Sequence, residues 1–138
     1  MGPFRAQKRD MNGEADILRA VLDYHRRGWC IIPVRAGTKK AACRWRQYQT
    51  ERPDGSRLRQ WFASGERYPA VVVGSISGGL VCRDFDEQRA YDRWADEHAR
   101  TAALLPTVAT ARGRHVYCLS DWQGFDQFGD GELRGDPK

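Results

Sequence analysis

The 138-residue sequence contains no apolar run near the roughly 18 residues that a membrane-crossing helix needs. Its basic N-terminus, Met1 to Asp10, is not followed by the apolar stretch of about 7–15 residues that marks a secretory signal. The expectation is therefore a soluble, cytoplasmic protein with no membrane partner. The four cysteines, Cys30, Cys43, Cys82 and Cys118, form no C-x-x-C pair, and no two histidines stand at zinc-ligand spacing, which argues against a zinc site. Cys30, Cys82 and Cys118 lie in apolar, strand-like runs and are expected as buried free thiols in a reducing compartment. Internal repeats and low-complexity tracts are also missing. What is left is a flexible leader over residues 1–12 and one compact domain over residues 13–138.

A core can form, because 41% of the residues are apolar, with five Trp, five Tyr and five Phe among them. The formal charge is +5 and the isoelectric point about 9.3. Arg and Lys concentrate between Arg26 and Arg67, and acidic residues cluster after Asp84. Such a division suits a protein that holds phosphates and also binds cations, although an ordinary solvated surface carries similar charge.

Helical spacing of Ile17, Leu18, Val21 and Leu22 predicts a helix from about Glu14 to Arg27, capped by Asn12 and ended by Gly28. Trp29 to Val34 reads as a buried strand, followed by a basic loop from Arg35 to Cys43 and a return to the core at Trp45 and Tyr48. Asp54 is placed to cap a short helix that carries Leu58, Trp61 and Phe62 on one face and stops at Gly65. Strands follow at about Ala70–Gly74 and Leu80–Phe85, then a helix from Glu87 to Arg100 that buries Ala90, Tyr91, Trp94 and Ala95. Beyond Pro106, Thr107–Ala111 and Arg114–Leu119 read as a hairpin around Arg112-Gly113. After a polar loop, Gly131–Arg134 opens a last strand. The mixture of helices and strands predicts an α+β (mixed α/β) fold.

Three signals carry chemistry. In Leu80-Val81-Cys82-Arg83-Asp84-Phe85-Asp86, strand alternation sends Asp84 and Asp86 to one face. Two carboxylates so close repel unless a cation lies between them, and a hard divalent ion, Mg²⁺ or Mn²⁺, meets that need. Asp86 as a simple cap of the following helix is the alternative. The turn Arg112-Gly113-Arg114-His115 combines positive charge with backbone N–H groups, which suits a polyphosphate; a basic hairpin tip with a surface histidine is its plain alternative. Glu132, with Arg134 two residues on, would be a surface ion pair if it stood alone. As a third carboxylate it completes a set able to hold two metal ions for nucleotidyl transfer.

The order of these signals, a D-x-D strand, an R-G-x-H turn and an acidic residue followed by x-R-G-D, resembles the bifunctional primase/polymerase (Prim-Pol) domain of the archaeo-eukaryotic primase superfamily. Gly28-Trp29-Cys30-Ile31-Ile32-Pro33-Val34 is similar to the entry segment of that family, and Lys39-Lys40-Ala41 with Trp45 looks like its K-x-P…W stretch. Leu58 to Phe62 and the glycine-bearing turn from Val73 to Leu80 extend the likeness, which covers roughly Asp16 to Asp136. Ala41 and Ala70 depart from a usual proline and asparagine. The sequence ends at Lys138, where the family continues with another strand, so Glu132 is expected on a poorly supported element of a C-terminally incomplete domain.

The resemblance implies a small α/β unit beside a sheet like an RNA-recognition motif, with the active carboxylates on the open face of that sheet. It implies that Asp84, Asp86 and Glu132 are catalytic metal ligands for Mg²⁺ or Mn²⁺. His115, Arg112, Gly113 and, less directly, Lys39 would meet the nucleotide. The implied activity is template-directed nucleotidyl transfer by a DNA primase/polymerase in the replication of a mobile element or phage. Its partners would be a single-stranded DNA template, nucleoside triphosphates and a fused or recruited helicase. Two rivals stay open: an inactive single-stranded-DNA-binding remnant of such a domain, and a metal-dependent nuclease.

Overall fold

The computed structural model describes residues 13–64 and 66–136. The leader, the Asn12 cap and Gly65 lie outside the described residues. The chain is an α+β protein whose residues group into two compact units. The first runs to Val72 and includes Ile76–Gly78, and the second holds Val73–Ser75 and everything from Gly79 onward.

In the first unit, α1 (Gly13–Arg26) and α2 (Gly55–Phe62) cover a two-stranded antiparallel sheet of β1 (Cys30–Arg35) and β2 (Arg67–Val72). α1 buries Ile17 and Val21, one turn apart on the expected face. Gly28, at φ 93°, ends it, and the Trp29 N–H reaches back to the Tyr24 carbonyl at 3.1 Å, a closure open only to a residue at ease in the left-handed region. Asp54 caps α2 as expected, its carboxylate accepting from the Arg57 N–H at 2.8 Å. Leu58, Trp61 and Phe62 are buried beneath it. Of the two residues expected to turn the chain back to the core, Tyr48 is buried and packs edge-on against Trp61, whereas Trp45 is exposed. The hydroxyl of buried Ser77 donates to the Val72 carbonyl and accepts from the Cys30 N–H, which ties the ends of β1 and β2 to one short turn.

In the second unit, β3 (Leu80–Phe85), β4 (Thr107–Ala109), β5 (Arg114–Leu119), β6 (Phe125–Phe128) and β7 (Gly131–Arg134) form one antiparallel sheet in the order β4-β5-β3-β7-β6. The predicted third helix is two: α3 (Gln88–Glu97) and α4 (Ala99–Leu104), divided at His98, whose φ −127° and ψ 48° leave the helical region. α3 lies on one face of the sheet, where Phe85, Ala90 and Val116 are buried with Tyr91, Trp94 and Leu105 around them. β6 replaces the expected polar loop.

β7 corrects the expectation of a poorly supported Glu132. It pairs with β3 on one side and β6 on the other, so its backbone groups are engaged along both edges. Just beyond it, the Asp136 carboxylate accepts from the Ser75 N–H at 2.7 Å and from the Ser75 hydroxyl at 2.9 Å.

Two glycines allow β3 to be approached closely at its end. A Cβ at Gly113 would overlap the Phe85 carbonyl oxygen, and one at Gly131, where φ is 146°, would overlap the Asp84 carbonyl oxygen. All four cysteines are free thiols; Cys30 and Cys82 are buried, whereas Cys43 and Cys118 are half-buried. For Cys118 this corrects the expected burial, because the end of β5 runs out to Leu119, which is 70% exposed. Burial pushes the Cys30 and Cys82 thiols up to about 12.

Two outcomes follow. Gly113→Ala and Gly131→Ala should each cost at least about 2 kcal/mol in denaturant unfolding, while Gly129→Ala, whose Cβ meets nothing within 4 Å, should stay within about 0.5 kcal/mol. At pH 8, a thiol-alkylating reagent should modify Cys43 and Cys118 in the folded protein and reach Cys30 and Cys82 only after denaturation, as read by mass spectrometry of labelled peptides.

Candidate active site

Strand alternation divides the side chains of β3 between the faces of its sheet. Phe85 is anchored among the aromatic residues of α3, so Val81, Arg83 and Phe85 face the helix, and Leu80, Cys82 and Asp84 face the other way. Arg83 reinforces this choice. Its guanidinium lies 4.1 Å from the Phe85 ring centre and 4.7 Å from that of Phe128, and it pairs with Asp130 at 2.5 Å. That arginine locks β3 to the β6–β7 hairpin from the helix side, a role the sequence reading did not assign.

On the opposite face, register brings distant residues together. Asp84 stands directly across from His115 on β5 and from Glu132 on β7. Directly opposed residues of an antiparallel pair share a face. Three candidates separated widely in sequence thus make one row, His115–Asp84–Glu132, across three neighbouring strands.

His115 is no surface residue of a hairpin tip, being only 6% exposed. Its Nε2 lies 3.2 Å from Asp84 Oδ1, and its Nδ1 lies 3.4 Å from the Tyr117 hydroxyl. An ionised carboxylate only accepts, so a proton on Nε2 would face Asp84. In that tautomer Nδ1 would be an acceptor for the Tyr117 hydroxyl, which also meets the Cys82 thiol. Burial raises the Tyr117 phenol above its ordinary range, which keeps that donor protonated. Tyr117, two residues after His115 on the same strand, is a supporting residue that period-2 spacing alone would have offered.

Arg134 completes the cluster. Its Nε donates to Glu132 Oε2 at 2.7 Å, and its Nη2 lies 3.6 Å from Asp84 Oδ2. The ion pair read from the sequence is present, but both its members are partly buried, and the arginine bridges toward two carboxylates. No group of three or more His, Cys, Asp or Glu side chains among the described residues is arranged to hold a metal ion.

The other candidates stand apart from this row. Asp86 is exposed one residue past the end of β3, and its N–H donates to the Asp130 carbonyl at 2.9 Å. It does not cap α3; Glu87 occupies that position, without a side-chain cap bond. The Arg112-Gly113 turn closes on itself. The Gly113 N–H donates to the Thr110 hydroxyl at 3.0 Å, and the Arg112 carbonyl accepts from the Gln88 N–H at the start of α3 at 2.9 Å. Gly113 therefore serves the close approach to β3 and has its N–H engaged, while the Arg112 side chain is exposed. Lys39 belongs to the first unit, in an exposed basic turn where β1 folds back so that Val34 bridges Ala41.

A family model for the N-terminal domain of bifunctional DNA primase/polymerases (Prim-Pol) matches residues 21–132, most of the chain. The chain belongs to the Prim-Pol family. No curated protein matches it. The matched span of this Prim-Pol chain includes β3, β5 and Glu132, so the row described above lies within it. Membership carries a DNA primase/polymerase type of function, a nucleotidyltransferase class, DNA and nucleotides as substrates, and a general dependence of the family on divalent metal. No described helix is long and apolar enough to cross a membrane.

The charge cluster sets a measurable expectation. In double-mutant cycles read by unfolding, the coupling of Arg134 to Glu132 should reach about 1 kcal/mol and exceed that of Arg134 to Asp84, since the first contact is a close hydrogen-bonded pair and the second is longer. Equal couplings would mean that Arg134 is shared evenly between the two acids.

Proposed function

We propose that this Prim-Pol domain is a DNA primase/polymerase that joins nucleotides on a single-stranded template with Mg²⁺ or Mn²⁺ as cofactor. The observation that carries this reading is the His115–Asp84–Glu132 row on the sheet face away from α3. Asp84 and Glu132 are hard oxygen donors at opposed register positions, the donor chemistry that such ions take, and Asp86 lies two residues farther along the chain from Asp84. These three carboxylates would hold the metal, with Arg134 turned aside from Asp84. Bound there, the metal supplies charge stabilisation for an attacking 3′-hydroxyl and a departing pyrophosphate.

The residues of the chain itself do the rest. His115 presents an N–H toward the row, and Tyr117 fixes its ring from behind. With a nucleotide in place, that N–H is positioned to donate to a phosphate oxygen, and Arg112 at the mouth of the hairpin adds positive charge. Gly113 sets how near the turn lies to β3. Lys39 is assigned to nucleotide or template through the resemblance of its stretch, and the exposed basic turn around it suits a phosphate backbone. The setting that accompanies this reading is replication of a mobile element or phage in the cytoplasm, with a fused or recruited helicase.

One observation favours a second reading, DNA binding without catalysis. Arg134 already pairs with Glu132 and leans toward Asp84, offsetting part of their charge, and Asp86 stands outside their cluster. Primer extension separates the two. Asp84→Ala and Asp86→Ala should each abolish extension with Mg²⁺ or Mn²⁺, and His115→Ala should lower it at least about a hundredfold, with single-stranded DNA binding retained within a few-fold. A wild-type chain that binds DNA and never extends would establish the second reading, and extension that survives both aspartate changes would remove the carboxylates from the mechanism.

A further inference from the structure

The active face does not end at Glu132. β6 pairs with β7 so that Phe125 stands opposite Arg134 and Gln127 opposite Glu132, which puts both β6 side chains on the same face as the row. Phe128, of the other parity, goes to the helix side with Arg83. All four residues of β6 are exposed, and Phe125 is 48% exposed. Beside a cationic arginine and a carboxylate, an exposed phenyl ring gives no burial in return for its exposure. What it offers is a flat apolar surface for a planar ligand.

The direction of the chemistry says which ligand. From β5 to β6 is three strand spacings, about 14 Å. With His115 on the phosphates at one end, pyrophosphate leaves on the β5 side. In-line displacement requires the attacking oxygen on the opposite side, toward β7 and β6. There the 3′-oxygen forms its bond to the α-phosphorus, and the bond from that phosphorus to the bridging oxygen breaks. Its electron pair goes to pyrophosphate, and the hydroxyl proton passes to water.

When a chain is extended, the base of the nucleotide whose sugar bears the attacking hydroxyl already stacks on its 5′ neighbour. When a chain is started, that neighbour is missing. We infer that β6 forms the subsite for the initiating nucleoside triphosphate, with Phe125 stacking on its base in place of the absent neighbour and Gln127 beside its sugar. This rests on the primase/polymerase reading above, and it adds to that reading the residue that separates starting a strand from extending one.

The test compares wild type, Phe125→Ala and Phe125→Trp in two assays: dinucleotide synthesis from nucleoside triphosphates on a single-stranded template, and extension of a preformed primer. Phe125→Ala should lower the ratio of initiation to extension about tenfold, through a higher half-saturating concentration of the initiating nucleotide, and Phe125→Trp should restore the ratio. An unchanged ratio, or equal losses in both assays, overturns the subsite. Should the wild-type chain make neither product, the primase/polymerase reading fails, and stacking is read separately with 2-aminopurine nucleoside triphosphate. Quenching of that probe by wild type and Phe125→Trp but not by Phe125→Ala supports the stacking site, and equal quenching by all three removes it.

Discussion

Because side chains alternate along a strand, sliding β3 by one residue against β5 or β7 would carry Asp84 to the helix side and put Arg83 or Phe85 in its place. The candidate site exists only in the register that opposes Asp84 to His115 and to Glu132. That register is held from several directions at once. Phe85 is buried among Ala90, Val116 and the aromatic residues of α3, Arg83 is stacked between two phenyl rings and paired with Asp130, and Gly113 and Gly131 admit the neighbouring chains where no Cβ would fit. The apolar face of the sheet thus aligns the polar one.

The polar face sets two carboxylates against one arginine. A carboxylate pair this close, partly withdrawn from water, needs a compensating cation. Arg134 supplies it from β7 itself, and the His115 ring lies 3.2 Å from Asp84 on the β5 side. In the proposed reaction this internal cation would give way to a metal and its nucleotide, a change confined to one long side chain. The Prim-Pol assignment and the row of residues are consistent here, since the matched span contains β3, β5 and the first half of β7 up to Glu132.

Much of this was legible in the chain. The β3 limits, the hairpin partner of β5, the cap of α2 and the glycine stop of α1 follow from local rules of alternation, capping and turn chemistry, and the structure has each of them. Asp84, Asp86 and Glu132 were expected as a set through the order of motifs; the register opposes Asp84 and Glu132, whereas Asp86 lies one residue past the end of β3. What the sequence did not show depends on contacts between distant segments. Phe125–Phe128 is too short and too exposed to carry a burial pattern, so β6 reads as loop until β7 gives it a partner. The break at His98 interrupts a run of alanines and aromatics that continues in helical period. The burial of His115 and the bridging by Arg134 become visible only when β5, β3 and β7 lie side by side.

The central claim is that the His115–Asp84–Glu132 row is where a divalent cation and a nucleotide meet. Paramagnetic broadening tests it without requiring turnover. Mn²⁺ added with a nucleoside triphosphate to the isotopically labelled protein should first erase the amide signals around Asp84, His115 and Glu132, on three strands at once, and Asp84→Asn should abolish that pattern. Broadening centred instead on the exposed acids of α3, Asp92, Asp96 and Glu97, and indifferent to Asp84→Asn, would contradict it.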